Sequence, residues 1–139
     1  MIAGEVPGEK VQDANRIIIV IWSCGPDNPR GAMLVAAPFV YALSARALDL
    51  EVEMHFTSST VRWLFEGVAR NAYTDEEETK TVLDFIREAR AAGVKMFGCA
   101  MALGEHRHGE SMIAEVEDVA GTATVIGAAV EAGTRALVF

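Results

Sequence analysis

The run Arg16-Ile17-Ile18-Ile19-Val20-Ile21-Trp22 holds five consecutive β-branched residues, Ile17 to Ile21. β-Branched side chains fit the pleated surface of a strand better than the crowded surface of a helix. Because the run is apolar at every position, with no polar alternation, both faces of its strand are expected to be buried. Parallel sheets covered by helices on each side bury strands in that way. The run ends at Ser23-Cys24-Gly25-Pro26-Asp27-Asn28-Pro29, a cluster of turn-forming residues. A buried strand entering a turn is the start of an α/β fold.

The rest of the chain extends that reading. Before the run, residues 1–14 contain Gly4, Pro7 and Gly8 and read as a flexible lead-in. Residues 15–139 read as one domain, a length suited to a single core. Arg30 to Leu48 is rich in Ala, Leu and Met and is expected to be helical. Met33, Leu34, Val35, Phe39, Val40, Tyr41 and Leu43 make it apolar almost all round, which implies burial on more than one side. Pro38 inside it is expected to kink or divide the helix. Glu51 to Thr57 alternates loosely and reads as a second strand. Ser58-Ser59-Thr60 can then cap a helix in which Val61, Leu64, Phe65 and Val68 recur at i, i+3, i+4, i+7.

Thr74 and Glu77 have capping-box spacing and open a helix to about Ala92, with Val82, Leu83, Ile86 and Ala89 inward and Gly93 as its stop. Val94 to Cys99 is the third strand. A polar loop from Gly104 to Glu110, a weaker helix near Ser111 to Glu115 and a short strand from Val116 to Val119 follow. Gly121-Thr122 opens a last helix to about Ala132, and Arg135 to Phe139 is the final strand. This alternation of strands and helices predicts a mostly parallel sheet with helices on both faces.

Hydrophobic residues make up 51% of the chain and the mean hydropathy is +0.22. That is more apolar surface than one small domain comfortably buries, so another subunit is expected to cover some of it. No apolar run has the length of a membrane-spanning helix. Met1 to Asn15 lacks the apolar stretch of a signal peptide, so a cytoplasmic protein is expected. The net charge of −8 argues against nucleic acid as the main partner, since phosphate binding needs clustered Lys and Arg. No Walker A loop, dinucleotide fingerprint or G-x-S-x-G elbow is present, so no cofactor is expected.

Two cysteines, Cys24 and Cys99, are the candidate nucleophiles. Their spacing matches no zinc pattern, and a structural disulfide is not expected in a reducing compartment. Both lie where strands end in turns. In an open α/β fold that edge lines the ligand crevice, and helix N-termini there favour thiolate over thiol. Cys99, in Val94-Lys95-Met96-Phe97-Gly98-Cys99-Ala100-Met101, ranks first. Cys24 ranks below it, as a pocket-lining or resolving thiol. Free cysteine more often packs than reacts, and position alone does not overturn that. Ser58 and Ser59 lie at another strand end and could approach the same edge. His106 and His108 could add cationic help to Cys99. As a metal site, His-x-His is a weak signal without a third ligand, and Arg107 between them adds unfavourable charge. His55 reads as a satisfied sheet histidine. Trp22, Trp63 and Phe97 read as core.

In order and spacing, these segments resemble the DsrE/DsrF-like (YchN-like) family of small sulfur-transfer proteins. The resemblance is carried by the turn Ser23 to Pro29 before an Ala-rich helix, the strand Val52-Glu53-Met54-His55-Phe56-Thr57, and Gly93 to Cys99 with cysteine at the strand end. Val116 to Gly121, a helix and Arg135 to Phe139 complete it. It spans about residues 15–139 and implies a three-layer α/β/α sandwich with a five-stranded parallel sheet, assembled as trimers, tetramers or hexamers. It further implies that Cys99 carries sulfur as a persulfide, taken from donor proteins or low-molecular-weight persulfides and passed to an acceptor thiol. Cys24 has no counterpart role in the family. A non-catalytic assembly subunit and a metal-binding protein using His106 and His108 are the competing expectations.

Overall fold

The computed structural model describes residues 14–139. The lead-in expected over residues 1–14 therefore lies outside the described residues, apart from Ala14. The β-branched run forms β1 (Arg16–Ile21), with Ile18, Ile19 and Ile21 buried. Its partners are β2 (Glu51–Phe56), β3 (Lys95–Cys99), β4 (Asp118–Ala120) and β5 (Thr134–Val138). The helices are α1 (Gly31–Ala47), α2 (Val82–Ala91), α3 (Ala100–His106) and α4 (Thr122–Ala129). All five strands pair in parallel, in the order β4-β3-β2-β1-β5. The α/β reading and its five-stranded sheet hold.

The strand order decides which face each helix covers. From β1 to β4 the chain steps across the sheet in one direction. It then returns from the β4 edge to the β5 edge through α4. Right-handed crossovers in opposite directions lie on opposite faces, so α4 is set against the face that α1 and α2 leave free.

On the α1–α2 face, Ile19, Ile21, Met54, Phe56 and Met96 are all fully buried. Phe39 of α1 stands between Phe56 and Phe85 of α2, with ring centroids 6.1 and 5.7 Å away. Each such side chain contributes roughly 1.5–3 kcal/mol of burial. The α4 face is different. The helix has eight residues and none of them is buried. One helix with its side chains is about 10–12 Å across, whereas five strands at their usual spacing are about 19 Å wide. The third layer is thus one short helix on a broad sheet.

Several local expectations are corrected. Residues 61–68 are not an α-helix: Ser58–Leu64 is a 3-10 segment and Phe65 is extended. Val61, Trp63, Leu64 and Phe65 are all buried, a demand that a one-faced helix could not meet. The peptide hydrogen bonds explain the rest. Glu66 N donates to Ser111 O, Ile113 N donates to Leu64 O, and Phe65 bridges Met112. The same bonds hold 111–113 extended, so no helix forms near Ser111 to Glu115. The strand expected over 116–119 forms as β4, shifted to Asp118–Ala120.

The capping box is Thr81 and Asp84, not Thr74 and Glu77. The Asp75 carboxylate accepts from Thr79 N, Lys80 N and the Thr79 hydroxyl, which closes a turn where helix was expected. Thr81 Oγ1 accepts from Asp84 N, and the Asp84 side chain accepts from Thr81 N. α1 runs unbroken through Pro38. Leu34, whose carbonyl loses its donor to the proline, is partly exposed, so water can satisfy it. Trp63 is core as expected, but Trp22 is 56% exposed and belongs to no core.

Candidate functional site

Parallel pairing in register places partner residues on the same side of the sheet. Asp118, Phe97, His55, Val20 and Val138 form one such row across all five strands. They lie on the face that α4 covers. Two residues further along β3, on the same side, Cys99 pairs with Ala120 of β4. The sequence fixes this placement through alternation alone: Lys95, Phe97 and Cys99 share one face, and Met96 and Gly98 the core face. Cys99 ends β3 and is also the N-cap of α3, with extended dihedrals (φ −70°, ψ 126°). Its thiol thus stands where a strand passes into a helix N-terminus.

Above this row, α4 roofs a cavity of about 260 Å³. Its lining is Val20, His55, Thr57, Cys99, Ala120, Thr122, Val125, Ile126 and Val138. The walls are aliphatic, with Thr57, Thr122, His55 and the thiol as their few polar groups. Cys99 is 9% exposed, and Ile126 of α4 and Val138 of β5, on other walls of the same cavity, are each 64% exposed. The thiol is sheltered within a cavity whose apolar rim is open.

His55 is the other reactive side chain in this cavity. It is 4% exposed. Its Nε2 lies 3.1 Å from Glu53 Oε1, and its ring stacks on Phe97 at 5.0 Å and 11°. A carboxylate can only accept, so Nε2–H is the donor. Glu53 Oε2 in turn accepts from Arg16 at 3.2 Å, and Arg16 also pairs with Glu131. A chain of charges thus runs from the exposed Glu131 inward to His55 and stops at the edge of the apolar cavity.

The remaining candidates do not gather around Cys99. Cys24 is 3% exposed and packed in the main core, and burial pushes its thiol's pKa up. Its carbonyl accepts from Trp63 Nε1 at 2.7 Å. Both cysteines are free. Ser58 is exposed, with φ +52°, just past β2. Ser59 packs against the Cys24 turn: a Cβ on Gly25 would lie 2.4 Å from its Oγ, so a larger residue there would have to displace it. His106, at the end of α3, and His108 line a separate cavity of about 430 Å³ with Arg62, Phe65, Val68 and Glu110. Among the described residues, no group of three or more His, Cys, Asp or Glu side chains is placed to hold a metal ion.

Sequence reasoning missed His55 as a cavity residue, although the signal was present. Residues 53, 55 and 57 of one strand and 95, 97 and 99 of another share a face once the two strands pair. What composition could not supply was that β2 and β3 are neighbours.

Fold and site together define a small parallel α/β protein that holds a thiol at a strand's carboxyl end, under one crossover helix. The DsrE/DsrF-like family model matches residues 18–139, and the chain belongs to that family, which is associated with sulfur relay. Among solved structures, the YchN protein of E. coli superposes with a TM-score of 0.67 at 15% identity, covering 91% of this chain and 99% of that one. MTH1491 from Methanobacterium thermoautotrophicum superposes with a TM-score of 0.63 at 16% identity, covering 90% of this chain and 99% of that one. No curated protein matches the sequence. At these identities the structural likeness shows the fold. No helix among the described residues is long and apolar enough to cross a membrane.

Proposed function

We propose that the protein accepts sulfane sulfur on Cys99 and passes it to an acceptor thiol, as a sulfurtransferase or persulfide carrier. The observation that carries this reading is the placement of Cys99: at a strand's carboxyl end, in an apolar cavity with an open rim. The Cys99 thiolate attacks the outer sulfur of a donor persulfide. The donor's S–S bond breaks and the donor leaves as a thiolate, while Cys99 holds the new S–S bond. An acceptor thiolate then attacks that outer sulfur and releases Cys99 again. No electrons are gained or lost overall. The aliphatic walls serve this chemistry by keeping water from the persulfide between the two steps. Donor and acceptor are thiol-bearing proteins or low-molecular-weight persulfides, and no resident cofactor takes part.

Association with further subunits accompanies this reading. A parallel sheet ordinarily has both faces covered. Here Ile126, Val130 and Val138 on the α4 face are 64%, 78% and 64% exposed, and on α1, across the sheet, Val40 and Tyr41 are 49% and 55% exposed. These surfaces favour a homo-oligomer. They also favour the second reading, a non-catalytic subunit of a mixed assembly. Two free thiols suit a reducing compartment, and we read the protein as cytoplasmic.

The test is a sulfane-sulfur transfer assay between an organic persulfide and an acceptor thiol. Wild type and Cys24→Ser accelerate transfer, and Cys99→Ser does not. If the wild-type protein, in its native assembly, gives no acceleration, the carrier reading is lost and the assembly-subunit reading takes its place.

A further inference from the structure

We propose that His55 exchanges a proton with the Cys99 thiol, and that Glu53 holds the imidazole in position to do so. The proposal rests on the sulfur-transfer reading of Cys99 and adds a second working group to the same cavity.

The geometry that carries it is the shared face. His55 pairs with Phe97, so Cys99 is its diagonal neighbour two residues on, across one strand spacing. With strands about 4.8 Å apart and residues two apart on a strand about 6.6 Å apart, the two Cα atoms lie about 8 Å from each other. Both residues line the one cavity, with no other side chain of acid-base character among its walls. A persulfide extends the sulfur from Cys99 by a further S–S bond of about 2 Å into that space.

The state of the imidazole points the same way. A buried histidine normally has both ring nitrogens satisfied. Here Nε2 donates to Glu53 and, among the described residues, Nδ1 has no protein partner. The tautomer set by Glu53 leaves the lone pair on Nδ1. Phe97 stacked on one face of the ring restricts its rotation. This is an oriented base with its accepting atom unused, in the same cavity as a nucleophile.

The proton balance closes without another reagent. Nδ1 takes the Cys99 proton, giving imidazolium and thiolate. The thiolate forms its S–S bond to the donor's outer sulfur, and the donor leaves as a thiolate. The imidazolium returns the proton to that leaving group. The charges facing His55 across the sheet are Glu53 on its own strand, Arg16 on β1, Lys95 and Cys99 on β3, Asp118 on β4 and Glu131 after α4. β5 and α4 present no ionisable group to this face. Arg16 is engaged by Glu53 and Glu131, and Lys95 is exposed beside Glu53. His55 is therefore the cavity's own proton carrier.

The experiment follows Cys99 alkylation by iodoacetamide as a function of pH, alongside sulfur uptake from a small organic persulfide, in wild type, His55→Gln and Glu53→Gln. His55→Gln is expected to slow Cys99 alkylation at neutral pH, as loss of a positioned base does. Uptake at neutral pH should fall about 10²-fold, the usual contribution of a positioned acid-base group. Glu53→Gln should slow alkylation as well, by releasing the imidazole from its position, which a merely structural glutamate would not do. Unchanged alkylation and uptake profiles in a folded His55→Gln protein would overturn the proposal, even with wild type loading normally. If wild type takes up no sulfur but the alkylation profile still moves, the His55–Cys99 pairing stands and the sulfur-transfer reading fails. Should His55→Gln not fold, the NMR titration of His55 in wild type and Cys99→Ser decides: a changed midpoint supports the pairing, and an unchanged one refutes it.

Discussion

The two faces of the sheet are made by alternate residues of the same strands, yet they do different work. On one face Ile19, Ile21, Met54, Phe56 and Met96 close against α1 and α2 with nothing exposed. On the other, Glu53, His55, Phe97 and Cys99 look toward a single short helix that buries none of its own residues. The packed face supplies stability. The open face supplies a cavity, a thiol and apolar surface. The proposed chemistry lies on the side that the chain leaves less covered.

Core truncation tests this division most severely. Phe56→Ala is expected to cost about 3–5 kcal/mol, as loss of a fully buried aromatic does. Val138→Ala on the open face should cost well under 1 kcal/mol if the chain unfolds as a monomer. Chemical denaturation of both variants checks this, and equal losses would break the contrast. The same face should decide assembly. Ile126→Asp combined with Val138→Asp is expected to lower the mass in sedimentation or light scattering while leaving the far-UV spectrum unchanged. A wild-type protein that is already monomeric at micromolar concentration would remove that part of the account.

The cysteines sharpen the comparison further. Burial raises the pKa of Cys24 and packing shields it, so iodoacetamide at mildly alkaline pH should label Cys99 and spare Cys24 until denaturant is added. Peptide mapping of the labelled protein reads this directly. A modest effect is expected at the cap of α2. Thr81→Ala should cost about 1 kcal/mol. The Thr81 backbone N–H and hydroxyl hold the Asp84 pKa below the usual carboxylate range, and the Thr79 hydroxyl does the same for Asp75. Both are acids with lowered pKa values. Their contribution is complete above the ordinary carboxylate range and is lost only as pH falls through the lowered values. Thermal melts should therefore show the Thr81→Ala deficit at neutral pH, shrinking only in strong acid.

Much of this fold could be read in the sequence because its strands are so uniform. Ile17 to Ile21 can hardly be anything but a doubly buried strand, and Gly93 before Val94 marks a helix end and a strand start. Cys99 at a strand terminus was legible for the same reason. Segments whose backbone is claimed from far away were not legible. Leu64 to Glu66 looks helical by periodicity, but its peptide groups bond to Ser111 and Ile113, a partnership no local pattern reveals. At Thr74 the capping-box spacing was real, yet the Asp75 carboxylate gathered its own peptide donors and deferred the helix to Thr81. His55 was read as a satisfied sheet histidine, and the structure satisfies one of its two ring nitrogens. That it shares a cavity with Cys99 depends on β2 lying beside β3, which is a property of strand order.

The central claim is that Cys99, and not Cys24, carries sulfur. Intact-mass measurement after incubation with a small organic persulfide, and again after adding an acceptor thiol, tests it most directly. Wild type and Cys24→Ser should gain one sulfur atom and then lose it to the acceptor, while Cys99→Ser gains none. Full loading of Cys99→Ser, or a sulfur atom mapped to Cys24 in the folded protein, would contradict the account.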